Sequence, residues 1–128
     1  ENQKIGRRSK AIANILGKVP QLNFNETYGA FYNTMIFKEG VLKRSQKLKI
    51  ANPEAQKLVD EWISNDDVAL DKQFVYYLLA AKGICVVPIS SFCSDLQGFR
   101  VTLLEENEEL LNKTFTTIRE AIEEYMAS

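Results

Sequence analysis

The sequence predicts an α+β fold, a two-layer sandwich in which a small mixed or antiparallel sheet is covered by helices. Three observations carry this expectation. Short runs with strand character recur at residues 28–37, 84–87 and 99–103, and segments of helical periodicity lie between and around them. Neither a doubly wound β-α alternation nor a Gly-rich phosphate loop is present.

Ile5, Ile12, Ile15 and Leu16 fall near helical spacing among basic residues, so residues 2–17 read as an amphipathic helix closed by Gly17 and Pro20. Residues 28–37 are rich in aromatics and read as a strand buried on at least one face, with Gly29 marking a bulge or a close backbone approach. From Lys38 to Asn52 five basic residues occur with little periodicity, which reads as a long solvated loop. Asn52, Pro53 and Glu54 stand in the order of an N-cap, an N1 proline and an acidic first turn. A helix therefore starts there, with Ala55, Leu58, Val59, Trp62 and Ile63 as its apolar face.

Residues 64–67 interrupt that pattern, and a second helix over 67–82 carries Leu70, Phe74, Val75, Leu78 and Leu79 on its buried face up to the stop at Gly83. The run Ile84, Cys85, Val86, Val87, bounded by Gly83 and Pro88, reads as a buried strand. Phe99, Val101 and Leu103 alternate with Arg100, Thr102 and Leu104 in another strand, which places Arg100 opposite Phe99 and Val101. Leu111, Phe115, Ile118, Ile122 and Tyr125 recur at helical spacing, so a helix over 107–126 closes the chain and packs on the sheet.

The 128 residues are expected to form one domain, and a chain of this size buries roughly two-thirds of the surface its unfolded form exposes. Hydrophobic residues at 45% and charged residues at 26% argue against disorder. A net charge of -1 removes any global attraction to nucleic acid or anionic lipid, and the basic loop lacks the stacking aromatics of a nucleic-acid site. No apolar run approaches the ~20 residues of a membrane span. Together with the absence of a signal-peptide pattern, this predicts a cytoplasmic protein. The first residue is Glu, which fits a processed chain or a piece of a longer one.

Cys85 and Cys93 match neither a zinc nor a redox pattern and are expected as buried thiols. The chain has no His, which removes the usual general base and every Ser/His or Cys/His nucleophile pair. Any chemistry must then take its reactive group from outside these residues. Arg100 is the one residue with a specific alternative to a solvent-facing or ion-paired role, because a guanidinium holds a carboxylate through two parallel donors. Tyr28 and Tyr32 read as strand aromatics of the core, and Asp66, Asp67, Glu105 and Glu106 as helix-cap and helix-start carboxylates.

The order of segments carries further information. Gly29-Ala30-Phe31-Tyr32 is followed by Lys82-Gly83-Ile84-Cys85-Val86-Val87-Pro88, then Ser90-Ser91-Phe92, then Gly98-Phe99-Arg100 and a closing amphipathic helix. This order, over residues 20–126, resembles the C-terminal small domain of class I/II aminotransferases, which are fold-type-I pyridoxal-phosphate enzymes. The resemblance implies an enzyme that moves an amino group between an α-amino acid and a 2-oxo acid. It makes Arg100 the clamp on the substrate α-carboxylate, with Ser91 and Phe92 in a loop that closes near the substrate. The pyridoxal phosphate and its Schiff-base lysine would belong to a large domain of the same chain, so these residues alone would be inactive, and the complete protein would be a homodimer. Two positions depart from the family pattern: Ile89 follows Pro88 where Gly is usual, and Cys93 follows Phe92 where Gly is common.

Other readings compatible with these residues are a lyase or synthase of the same fold type, an aminotransferase-like effector domain of a transcription regulator, and a free-standing interaction module. The amino donor is set mostly by residues outside this segment.

Overall fold

The computed structural model describes residues 19–20, 22–25, 32–65, 67–91, 96–102 and 108–128. Four strands, β1 (Leu22–Asn25), β2 (Tyr32–Phe37), β3 (Val87–Pro88) and β4 (Gly98–Thr102), form an antiparallel sheet in the order β1-β2-β4-β3. Three helices, α1 (Pro53–Trp62), α2 (Leu70–Lys82) and α3 (Glu108–Ala127), complete the α+β arrangement. The first expected helix, Tyr28, Gly29, Asp66, Phe92, Cys93, Glu105 and Glu106 lie outside the described residues. Strand β1 has no counterpart among the strands expected from the sequence.

One face of the sheet is the core face. Met35 of β2 stands opposite Phe99 of β4 in the register, and both are fully buried with Phe37 beside them. Phe74 of α2 closes over this face, its ring 5.8 Å from Phe99 and edge-on to Phe37 at 5.5 Å. Helix α3 lies alongside α2 rather than only on the sheet: Tyr125 meets the Phe74 ring at 5.0 Å, and Phe115, Ile118 and Ile122 join the same core. Burying an aromatic of this size fully contributes about 1.5–3 kcal/mol, so this aromatic cluster is a large part of what holds helices to sheet.

Helix α1 starts as its sequence dictates. Asn52 has extended backbone, and its Oδ1 accepts the amides of Glu54 at 2.8 Å and Ala55 at 3.3 Å ahead of Pro53 at the first turn. Its buried stripe is narrower than the apolar pattern suggests. Val59 is fully buried between half-buried Ala55 and Ile63, whereas Leu58 is 46% exposed and Trp62 leans on the Tyr76 ring at 5.1 Å. A ten-residue helix at the rim covers its neighbour only along an i, i+4, i+8 line, which leaves the flanking apolar residues outside.

Helix α2 begins at Leu70, with Ala69 as an N-cap that makes no side-chain bond; Asp67 is exposed and does not cap it. The helix ends at Gly83, whose left-handed φ of 70° suits glycine and lets its amide reach Leu79 O at 2.9 Å. Phe74, Val75 and Leu78 are buried as expected, but Leu79 is 40% exposed. The buried stripe also takes in Asp71, Gln73 and Tyr77.

The expected strand at 84–87 is reduced to the two residues Val87–Pro88. Val86 is buried and Ile84 half-buried, so alternation turns Cys85 outward, and its thiol is exposed rather than buried. The basic segment 38–52 has no helix or strand, as expected, yet it is not merely solvated. Its Lys and Arg side chains are exposed while Leu42, Gln46, Leu48 and Ile50 are buried. The segment is pinned by side chains from both long helices. Gln73 Nε2 donates to Arg44 O at 3.1 Å and Gln46 O at 3.3 Å, and the amide of Lys49 donates to Glu124 Oε2 at 3.1 Å. The phenol of Tyr125 also accepts from Gln73 Nε2 at 3.3 Å. Burial pushes the Tyr125 phenol well above the usual tyrosine range and the nearby Tyr77 adds to this, against opposing effects of the Gln73 bond and Arg44. Tyr77 is raised too, by burial and by the charge of Asp60.

Among the described residues no helix is long and apolar enough to cross a membrane, and no group of His, Cys, Asp and Glu side chains could hold a metal ion.

Candidate functional site: the Arg100 strand and the Ser90 turn

Arg100 sits at the middle rung of β4, paired with Thr34 of β2 on one side and Val87 of β3 on the other. Phe99 points to the helices, so alternation sends Arg100 to the other face of the sheet, where it is half-buried. Ile36 of β2 is half-buried and Val87 is 44% exposed.

The turn expected near the substrate starts from the same rung. Val87 pairs with Arg100, Pro88 pairs with Phe99, and the chain then enters a 3-10 turn at Ile89–Ser91. The fold thus brings the Ile89–Ser91 turn next to β4, the strand of Arg100. Ile89, where the resembled pattern has Gly, is buried: its Cδ1 lies against the α-carbon side of Gly98, and it packs inward instead of narrowing a site mouth.

Asp71 ties these two segments together. It is fully buried on the first turn of α2, and its Oδ2 accepts the amides of Ser90 at 2.9 Å and Gly98 at 3.1 Å. Its Oδ1 accepts the Ser90 hydroxyl. The amide of Asp71 in turn donates to Gln97 Oε1 at 3.0 Å, and Gln97 O accepts the amide of Phe37 at 2.8 Å, which extends the β2–β4 ladder. Gly98 is required by this close approach, because a Cβ there would run into the backbone oxygen of Met35. The signal for Asp71 was present in the sequence: it lies three and four positions before Phe74 and Val75, a carboxylate on the apolar face of a helix.

Every lysine among the described residues is exposed.

No protein-family model matches the chain. The chain is 40% identical over 125 residues to an uncharacterized aminotransferase of Methanocaldococcus jannaschii. The similarity covers 98% of this chain but 28% of that protein, so the chain spans less than a third of its relative's length. Nearly all of this sequence, including the Ser90 turn and the Arg100 strand, therefore corresponds to a minor part of a longer protein that bears the aminotransferase name.

Proposed function

We propose that this chain is the C-terminal small domain of a pyridoxal-phosphate-dependent aminotransferase, and that Arg100 clamps the α-carboxylate of the amino-acid and 2-oxo-acid substrates. The observation that carries the reading is the place of Arg100. It rises from the central rung of the sheet, on the face opposite the helical layer, beside the strand that leads into the Ser90–Ser91 turn. Paired backbone on both sides of β4 holds the guanidinium base in one position, which suits a group whose task is orientation. Ser91 and Phe92 form the loop beside the bound substrate in this reading; Phe92 lies outside the described residues. The similarity to an aminotransferase over nearly the whole chain supports it.

The cofactor and its lysine are assigned to a companion large domain of the same chain, in keeping with the exposure of the lysines described here. A cytoplasmic homodimer is the form this reading gives the complete protein. The test is to load the longer parent protein with pyridoxal phosphate and follow its visible absorbance with alanine, aspartate or glutamate as donor. We expect one donor to change the cofactor band and its amino group to appear on an added 2-oxo acid. The isolated 128-residue chain should do neither. Sustained transfer by the isolated chain, or an inert cofactor-loaded parent, would contradict the assignment.

A further inference from the structure

A fully buried carboxylate is seldom found without strong compensation, and Asp71 has it in three hydrogen bonds. Its three acceptor contacts come from two segments distant in sequence, the Ser90 turn and the first residue of β4. Ser90 adjoins Ser91, and Gly98 lies two residues before Arg100, about 7 Å along an extended strand. The carboxylate itself rides on the first turn of α2, a helix anchored in the core through Phe74 and Leu78. A rigid element thus sets the offset between the turn and the strand that carries the guanidinium.

We propose that Asp71 is a positioning residue for the substrate-carboxylate site, acting through Ser90 and Gly98 to hold the Ser90–Ser91 turn at a fixed separation from Arg100. The inference rests on the reading of Arg100 as the carboxylate clamp. Asp71 touches no substrate in this account. Its effect is on where the clamp and the turn stand relative to each other, and so on donor affinity more than on the bond-making step.

The bonding pattern supplies its own control. In Asp71→Asn the amide oxygen can replace Oδ2 and accept both backbone amides, while the amide nitrogen donates to the Ser90 hydroxyl, so that one bond reverses direction and none is lost. Asp71→Ala removes all three, and Ser90→Ala removes only the hydroxyl contact.

The experiment is steady-state kinetics and thermal melting on the cofactor-loaded parent protein carrying each variant. In Asp71→Ala we expect the donor KM to rise about 10- to 100-fold, with kcat changed far less. Ser90→Ala should shift KM in the same direction by a smaller factor, and Asp71→Asn should remain near wild type. The cofactor absorbance before donor is added should be the same in all. A fall in Tm with donor KM unchanged in Asp71→Ala and Ser90→Ala overturns the proposal, since it makes Asp71 a purely structural residue. If Asp71→Ala does not fold, Ser90→Ala carries the test alone. If the wild-type parent shows no amine transfer at all, the functional reading fails and this proposal falls with it, an outcome distinct from a working enzyme with indifferent variants.

Discussion

Gln73 and Arg44 exchange hydrogen bonds across 29 positions of sequence: Arg44 Nη1 donates to Gln73 Oε1 at 2.9 Å, and Gln73 Nε2 donates to the Arg44 carbonyl at 3.1 Å. The same Nε2 also faces Gln46 O and the Tyr125 hydroxyl. One buried amide therefore joins the basic segment to α2 and α3. Gln73→Leu preserves the volume of the side chain but leaves these acceptors without their donor, and should destabilise the chain by about 2–3 kcal/mol in urea unfolding. An effect within a few tenths of a kcal/mol would mean that the segment is held without the Gln73 bonds, by Leu42, Leu48, Ile50 and the Glu124 contact.

Alkaline pH should act through Tyr125. Its phenol is raised above the ordinary value of about 10, so the folded state keeps a proton that the unfolded state releases. The sign follows directly: this stabilisation is complete below about pH 10 and is lost as pH climbs from there through the folded-state value. Tyr125→Phe should flatten the loss above pH 10, leaving the smaller share due to Tyr77. At neutral pH the same variant should cost about 1 kcal/mol for the missing Gln73 contact. Unfolding followed by circular dichroism between pH 8 and about 11 checks both arms.

Gly98→Ala places a methyl group against the backbone oxygen of Met35 and 3.0 Å from Ile89 Cδ1. Neither β2 nor β4 can yield without breaking the ladder, so a loss of about 1–3 kcal/mol or more is expected. Hydrogen exchange should show the damage first at Gly98 and Ser90, the two amides held by Asp71.

Asn52→Ala removes the acceptor for the amides of Glu54 and Ala55. A cost of about 1 kcal/mol, with fraying confined to the first turn of α1, is the expected result.

These contacts show where sequence reasoning reaches and where it stops. The start of α1 was legible because Asn52, Pro53 and Glu54 are local signals acting over a single turn. The stop at Gly83 and the alternation that turns Arg100 away from Phe99 were legible for the same reason. Strand β1 escapes sequence reasoning because Leu22–Asn25 is four residues long and is fixed by its pairing with Thr34–Phe37, a partner no local pattern names. The basic segment reads as solvated because its charges mask the apolar residues between them, and the side chains that tie it down, Gln73 as donor to Gln46 O and Glu124 as acceptor from the Lys49 amide, come from α2 and α3. Exposure of Leu58 and Leu79 depends on how far neighbouring elements extend, which periodicity does not report. Within the candidate site, Arg100 and the serine turn stand out by residue type and order, whereas the bonds of Asp71 to Ser90 and Gly98 depend on the fold, and only its position on an apolar helix face is visible in the sequence.

The central claim is that Arg100 holds the substrate carboxylate, and the most direct measurement is a donor titration of the cofactor-loaded parent protein, wild type against Arg100→Leu and Arg100→Lys, followed by visible absorbance. Two charge-assisted hydrogen bonds are at stake, so the donor concentration for half-maximal change should rise about 100-fold in Arg100→Leu. Arg100→Lys should recover only part of this, because a point charge lacks the paired donors. The cofactor spectrum without donor should be unchanged in both. A wild-type titration curve for Arg100→Leu would contradict the claim and place the carboxylate in other hands.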